Sequence, residues 1–441
     1  MTFEELNLNK FLLNALSDLG ITTPTPIQEK VFSVVMSGKD VCGIAQTGTG
    51  KTFAYLLPSL RQFQFSKEKL PQLIILVPTR ELVAQVMESV QQLTTYMSVK
   101  TVGIYGGVNT RPQMAEILLG VDILVATPGR LVDFLMNGTI KPKNVKRLII
   151  DEFDEMLNLG FRAQLTVIFD KLPAKRQNLL FSATLTRDVE QLVDTFFNNP
   201  VRVETEPAGT PLDSISQQYY EVPNFFTKVN LLNLLLKNDS SMTKVLVFVA
   251  TKKLADTLFE QLQPTLKNKV DVIHSNKNQN HRFNSVNQFE SGDCQVLIAT
   301  DIIARGLDIE EVTHVINFDM PDVAENYIHR IGRTGRYDKD GIAISFVSPK
   351  EVEFLEQVEA LMNMQVPLLE LPEDLVFSER LLEDEVSKVG MKFITKLPDI
   401  NAGGLAYHDK SEKNSKTNVR RNHQAEMKKK YGRSYENRSR K

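Results

Sequence analysis

The stretch VCGIAQTGTGKTFAYLLPSL, residues 41–60, decides the architecture. VCGIA (41–45) has the apolar character of a buried strand, FAYLLPSL (53–60) reads as a helix, and AQTGTGKT (45–52) lies between them. A glycine-rich loop that carries a strand into a helix N-terminus is a phosphate cradle. Gly48 and Gly50 permit tight turns, backbone N–H groups and the helix terminus face the phosphates, Lys51 neutralises the β and γ oxygens, and the Thr52 hydroxyl is expected on magnesium. Ala45 stands where such loops usually carry their first glycine. The plainer reading, a Gly- and Thr-rich surface turn, leaves the flanking strand and helix unexplained.

Outward from this unit the pattern recurs. Apolar runs at 73–78 (LIILVP), 122–127 (DILVAT), 147–151 (RLIID) and 179–184 (LLFSAT) alternate with amphipathic stretches and read as buried parallel strands. A second series follows at 245–251 (VLVFVAT), 270–275 (VDVIHS), 295–301 (QVLIATD), 314–319 (HVINFD) and 343–348 (AISFVS). An α/β chain with two parallel sheets, each flanked by helices, is expected. Without a short repeat period, this is duplication of a domain type and not a solenoid. The expected segments are 1–205, a linker at 206–214 (EPAGTPLDS), 215–365, an acidic extension at 366–407 and a disordered basic tail at 408–441.

At the end of the 147–151 run, DEFD (151–154) sets carboxylates at the carboxyl edge of a parallel sheet, where such folds bind ligands. Asp151 is expected to hold the magnesium shell, and Glu152 to orient and deprotonate the attacking water near the γ phosphate. A helix N-terminus enriched in acids is the plainer reading of the same string, and the two are compatible.

Composition frames these motifs. The chain has 441 residues, 42% hydrophobic and 24% charged, which suits two globular domains with an appendage. Its longest apolar runs are far short of a membrane span. MTFEELNLNK carries acids where a secretory signal needs positive charge and a long apolar stretch, so a cytoplasmic protein is expected. Two cysteines, Cys42 and Cys294, exclude a disulfide scaffold and a four-thiol zinc site. The net charge of −2 hides an asymmetry: residues 408–441 hold 12 Lys or Arg against 4 Asp or Glu. A polyanionic partner is expected for such a tail.

The series PTPIQ (24–28), AQTGTGKT, PTREL (78–82), Gly106-Gly107, TPGR (127–130), DEFD, SAT (182–184), VFVAT, Gln279 with Arg282, ATDIIARGLD (299–308) and HRIGRTGR (329–336) resembles the DEAD-box RNA helicases of superfamily 2, over residues 3 to about 349. The resemblance implies two tandem RecA-like domains and RNA-stimulated ATP hydrolysis with Mg2+. Its ATP-binding set maps to Phe3, Ile21, Gln28, Ala45, Gln46, Thr47, Gly48, Thr49, Gly50, Lys51, Thr52, Asp308 and Tyr337. Gln28 selects adenine because an amide donates and accepts together. Ile21 stands where the family usually has an aromatic residue, and Tyr337 is expected to stack on the base from the other domain. Arg333 and Arg336 correspond to the arginine fingers, joining Glu152, Asp151 and Lys51 as catalytic residues. His329 and Arg330 are left open between packing and interdomain contact. Asp154, Ser182 and Thr184 couple the nucleotide to RNA. Phe153 replaces the motif's alanine, so the local packing is expected to differ.

RNA contacts map by the same resemblance to Arg80, Gly107, Thr127, Arg130, Thr251, Arg282, Thr300 and Arg305. Most are expected on phosphates or sugars, which fix position without reading sequence. The implied activity is local unwinding or remodelling of short RNA duplexes and ribonucleoprotein. A DNA translocase is disfavoured by the Gln28 motif and SAT, and a nucleotide-gated RNA clamp without useful unwinding remains the competing reading.

Overall fold

The computed structural model describes residues 2–45, 49–205, 214–301, 312–335, 340–385 and 429. Gln46, Thr47, Gly48, Arg305, Asp308, Arg336, Tyr337, nearly all of the 206–214 linker and all of the basic tail except Lys429 therefore lie outside the described residues. Both sheets belong to one compact unit, Met1–Glu383. Among the described residues no helix is long and apolar enough to cross a membrane.

The first lobe runs α1 (Lys10–Asp18), α2 (Pro26–Met36), β1 (Val41–Ile44), α3 (Lys51–Arg61), β2 (Leu73–Leu76), α4 (Arg80–Leu93), β3 (Thr101–Ile104), α5 (Thr110–Leu118), β4 (Ile123–Ala126), α6 (Pro128–Met136), β5 (Arg147–Ile150), α7 (Phe153–Asn158), α8 (Arg162–Lys171), β6 (Gln177–Ser182), α9 (Arg187–Phe196) and β7 (Val201–Glu204). The second runs β8 (Ile215–Glu221), α10 (Phe225–Asn238), β9 (Val245–Phe248), α11 (Lys252–Leu266), β10 (Val270–Ile273), α12 (Gln279–Ser291), β11 (Val296–Ala299), β12 (His314–Asn317), α13 (Ala324–Ile331), β13 (Gly341–Val347) and α14 (Val352–Met362). Strand order is β3-β4-β2-β5-β6-β1-β7 in the first sheet and β10-β11-β9-β12-β13-β8 in the second. Every pairing is parallel.

Central strands read as unbroken apolar runs because both of their faces are buried. In β2, Leu73 and Ile75 enter one hydrophobic core, and Ile74 and Leu76 enter the core on the opposite face. The two α/β parallel-sheet domains expected from sequence are present, with three further strands. β3 and β7 lie at the edges of the first sheet, and residues of each are partly exposed. β8, at one edge of the second sheet, carries Ser216, Gln217 and Gln218. These three edge strands lack the apolar signal by which the others, the edge strand β10 included, were read.

The start of the acidic extension packs on the second lobe. The Tyr219 N–H donates to the Pro367 carbonyl (3.0 Å) and the Leu369 N–H to the Tyr219 carbonyl (2.8 Å), so this stretch borders β8. Asn230 and Asn224 of the α10 region donate to the backbone carbonyls of Val376 (2.7 Å) and Ser378 (2.8 Å).

Candidate active site

The cradle forms where β1 ends and α3 begins. Gly50 caps α3 with φ of 86°, and an added Cβ would lie 2.6 Å from Gln28 Nε2, so the position demands glycine on two counts. Lys51 opens the helix, is 7% exposed, and its Nζ has no hydrogen-bond partner among the described residues. Gln28 supplies one arm of a capping box at the start of α2: the Thr25 N–H donates to Gln28 Oε1 (3.1 Å). The same amide reaches the cradle, Nε2 donating to the Gly50 carbonyl at 3.2 Å. Phe3 is 3% exposed and packs with Ile21 into the first core, which leaves its ring little surface to offer a base.

Asp151 and Glu152 follow β5 directly, and both are buried. Glu152 adopts the left-handed conformation (φ 50°, ψ 53°) as the N-cap of α7, a backbone state that costs about 1–3 kcal/mol for a non-glycine residue and gathers at functional sites. Its N–H donates to Asp151 Oδ1 (2.9 Å). Burial pushes the Glu152 carboxyl up to about 8, against the opposing positive charges of Arg333 and Lys51. Asp151 is also raised by burial, with Lys51 opposing.

Asp154 is the hub of a separate network. Its Oδ2 accepts the Thr184 N–H (2.9 Å) and hydroxyl (2.8 Å), and its own N–H donates to Ser182 Oγ (3.3 Å). From the second lobe, His329 Nε2 lies 3.7 Å from Asp154 Oδ2. Burial alone would raise Asp154, but hydrogen bonding and charge from His329, with Lys51 and Thr184, hold it well below the usual carboxylate range. Phe153 turns into the second core, fully buried in the same cluster as Met156, Leu165 and Phe169. The benzyl group is thus accommodated without displacing the acids on either side.

From the second lobe, Arg333 is 4% exposed, and its charge acts on Glu152 across the cleft. The two neighbours left open by sequence part company. His329 faces the other lobe, whereas Arg330, 1% exposed, braces its own lobe. The Arg330 guanidinium donates to both Asp301 oxygens (2.5 and 2.8 Å) and to the Asp319 carbonyl (2.7 Å), and lies 5.1 Å over the Phe248 ring.

The residues expected on RNA divide by what they touch. Arg80 opens α4 and runs so close to Gly107 (φ 75°) that a Cβ there would lie 2.1 Å from Arg80 Nη2. Arg130 is buried and directed inward, donating to Gln113 Oε1 and the Val108 carbonyl (3.0 Å each), which braces the segment after Gly107. The Thr251 hydroxyl caps α11 by accepting the Leu254 N–H (3.2 Å), Thr127 is the N-cap of α6, and Thr300 is buried after β11. Arg282 reaches across to the first lobe, its Nη1 2.8 Å from Glu81 Oε1, with both side chains under 10% exposed. Glu81 was not among the sequence-derived site residues. Its presence inside PTREL was the available signal.

Comparison with known proteins gives consistent matches. Residues 25–192 match the DEAD/DEAH box helicase family, and residues 227–338 match the helicase conserved C-terminal domain. The chain is 37% identical to the DEAD-box ATP-dependent RNA helicase RhpA of Helicobacter pylori over 371 residues, 84% of this chain and 74% of the relative. It is also 37% identical to the DEAD-box ATP-dependent RNA helicase CshA of Geobacillus kaustophilus, covering 84% of this chain and 79% of that one. Among solved structures, S. cerevisiae Dbp5 bound to RNA and ADP BeF3 superposes with a TM-score of 0.76 at 30% identity, covering 83% of this chain and 95% of that one.

Proposed function

Because the chain belongs to the DEAD-box family of ATP-dependent RNA helicases, we propose that it hydrolyses ATP between its two RecA-like lobes and uses their closure to unwind or remodel short RNA duplexes and ribonucleoprotein. The observation that carries this reading is the convergence of Lys51 and Glu152 from one lobe with Arg333 from the other in a buried cleft.

The donor set fits a nucleotide with its divalent cation. Lys51 Nζ is buried with no hydrogen-bond partner among the described residues, a state that costs free energy unless an anion satisfies it. Thr52 and Asp151 would hold Mg2+, which when bound supplies neutralisation of phosphate charge. Lys51 draws charge from the β and γ oxygens, and Gln28 reads the adenine edge. Glu152 orients the attacking water and takes its proton, which requires an ionised carboxylate. Burial holds the carboxyl up and Arg333 opposes that rise, so the lobe that delivers the finger also favours the base's ionised form. Such a finger is worth about 10³ to 10⁵ in rate. Arg336, Asp308 and Tyr337 complete the second lobe's share as a second finger, a ribose contact and an adenine contact.

Hydrolysis is coupled to RNA because closure aligns both halves of the RNA face. Arg80 and Arg305 carry phosphate contacts, Gly107, Thr127, Thr251 and Thr300 line the strand's path, and Arg130 and Arg282 hold that path in shape. A bent strand is incompatible with continued pairing, and melting a few steps at about 1.4 kcal/mol each lies within reach of one closure event. The cations of residues 408–441 add a salt-sensitive tether. A cytoplasmic setting agrees with the two free, buried thiols, Cys42 and Cys294.

The test compares ATP turnover with RNA and DNA of equal length, alongside displacement of a short RNA duplex. Turnover stimulated by RNA and lost in Arg333→Ala is expected. Equal stimulation by DNA, or full turnover by residues 1–205 alone, would sink the reading.

A further inference from the structure

Tyr55 is fully buried on α3, one helical turn after Lys51, so the two side chains leave the same face of the helix. Its ring packs on Phe181 of β6 with centroids 5.3 Å apart and planes inclined by 55°. That contact fixes the ring and lodges the hydroxyl beside both the Asp151 carboxylate and the Thr52 hydroxyl. Among the described residues the buried hydroxyl makes no hydrogen bond of good distance and angle, although both groups lie close enough to bond it. A phenylalanine would fill the same apolar space, whereas an unsatisfied buried hydroxyl costs about 1–3 kcal/mol. The polar atom therefore lies, at a cost, between the two side chains read above as the cation's holders.

We propose that Tyr55 is a positioning residue whose hydroxyl accepts a hydrogen bond from Thr52 and donates one to Asp151, turning the Thr52 lone pairs and an Asp151 oxygen toward the nucleotide's divalent cation. The proton inventory closes. A hydroxyl has one donor and two acceptor sites, so a chain from Thr52 through Tyr55 to the ionised Asp151 uses each O–H once and leaves the Thr52 oxygen free for a metal. Groups that orient metal ligands in this way typically contribute about 10- to 100-fold in metal affinity. The inference rests on the nucleotide reading above and extends it to a residue outside the phosphate-binding loop.

The experiment uses the full chain and its Tyr55→Phe variant, which keeps the ring against Phe181. Fluorescent ADP is titrated in EDTA and at graded Mg2+, and each protein is melted without ligand. For Tyr55→Phe we expect unchanged ADP affinity in EDTA, a requirement for about 10-fold more Mg2+ to reach the tight-binding state, and a melting temperature at or above wild type. Identical Mg2+ dependence of the two proteins overturns the proposal, and a variant melting well below wild type overturns it in favour of a structural hydroxyl. Wild-type protein that binds no ADP under either condition removes the nucleotide reading itself.

Discussion

Arg282 and Glu81 form an ion pair of 2.8 Å between α12 of the second lobe and α4 of the first, with both side chains nearly withdrawn from solvent. Burial lowers the Arg282 pKa, with the Glu81 charge opposing. A buried pair is costly to break because the remaining charge is stranded, by about 3–5 kcal/mol. Arg282→Ala is therefore expected to depopulate the closed form and raise the RNA concentration for half-maximal ATP turnover. Exchanging the two residues should recover part of the loss. Lobe-to-lobe energy transfer between dyes reads the closure directly, and an unchanged signal in Arg282→Ala would show that the pair does not hold the lobes.

Glu152 supplies a pH prediction with a definite sign. Its folded-state value of about 8 lies above the ordinary glutamate value of 4.5, so the folded protein holds a proton that the unfolded chain has released between those limits. Its contribution to stability is full below about 4.5 and is lost as pH rises through about 8, a change on the order of a few kcal/mol at most. Glu152→Gln carries no such titration. The variant should gain melting temperature relative to wild type as pH goes from 5 to 8, while hydrolysis falls about 10²- to 10⁴-fold. Parallel melting profiles for the two proteins would contradict the buried carboxyl, and wild-type turnover in Glu152→Gln would contradict its role as base.

These relationships mark how far sequence reading reaches. AQTGTGKT and DEFD were legible because a phosphate cradle and a metal carboxylate impose fixed residue types at the ends of buried strands. β3, β7 and β8 were not, because an edge strand can carry Thr101, Arg202 or Gln218 without burying it. Motif membership singles out residues without telling what they touch. Arg282 is committed to Glu81 and Arg130 to Gln113 and the Val108 carbonyl, relations fixed by tertiary packing. The open choice at His329 and Arg330 was resolved only by the fold, since both lie on α13 and face different partners.

Gly107 tests whether the RNA path depends on close packing around Arg80. At φ 75° an alanine is strained by about 1–2 kcal/mol, and its Cβ would also meet the Arg80 guanidinium at 2.1 Å. Arg80 must then swing away. Gly107→Ala is expected to weaken RNA binding several-fold while leaving ATP affinity without RNA unchanged. The check is a pair of titrations, of labelled single-stranded RNA and of fluorescent nucleotide. Equal losses in both would mean that the substitution disturbs the whole lobe.

Phe153 separates stability from chemistry within one motif. Its ring fills the second core with Met156 and Leu165, while Glu152 before it and Asp154 after it face the cleft. Phe153→Ala removes the ring from a site with no solvent access, and large-to-small changes of this kind cost about 3–5 kcal/mol. The acids are fixed by other means: Asp154 by Thr184 and Ser182, and Glu152 by its N–H bond to Asp151. The variant should therefore lose several kcal/mol in denaturant unfolding of the first lobe, yet retain near-wild-type turnover per folded molecule at low temperature. A collapse of turnover with stability intact would mean instead that the ring props the catalytic carboxylates from below.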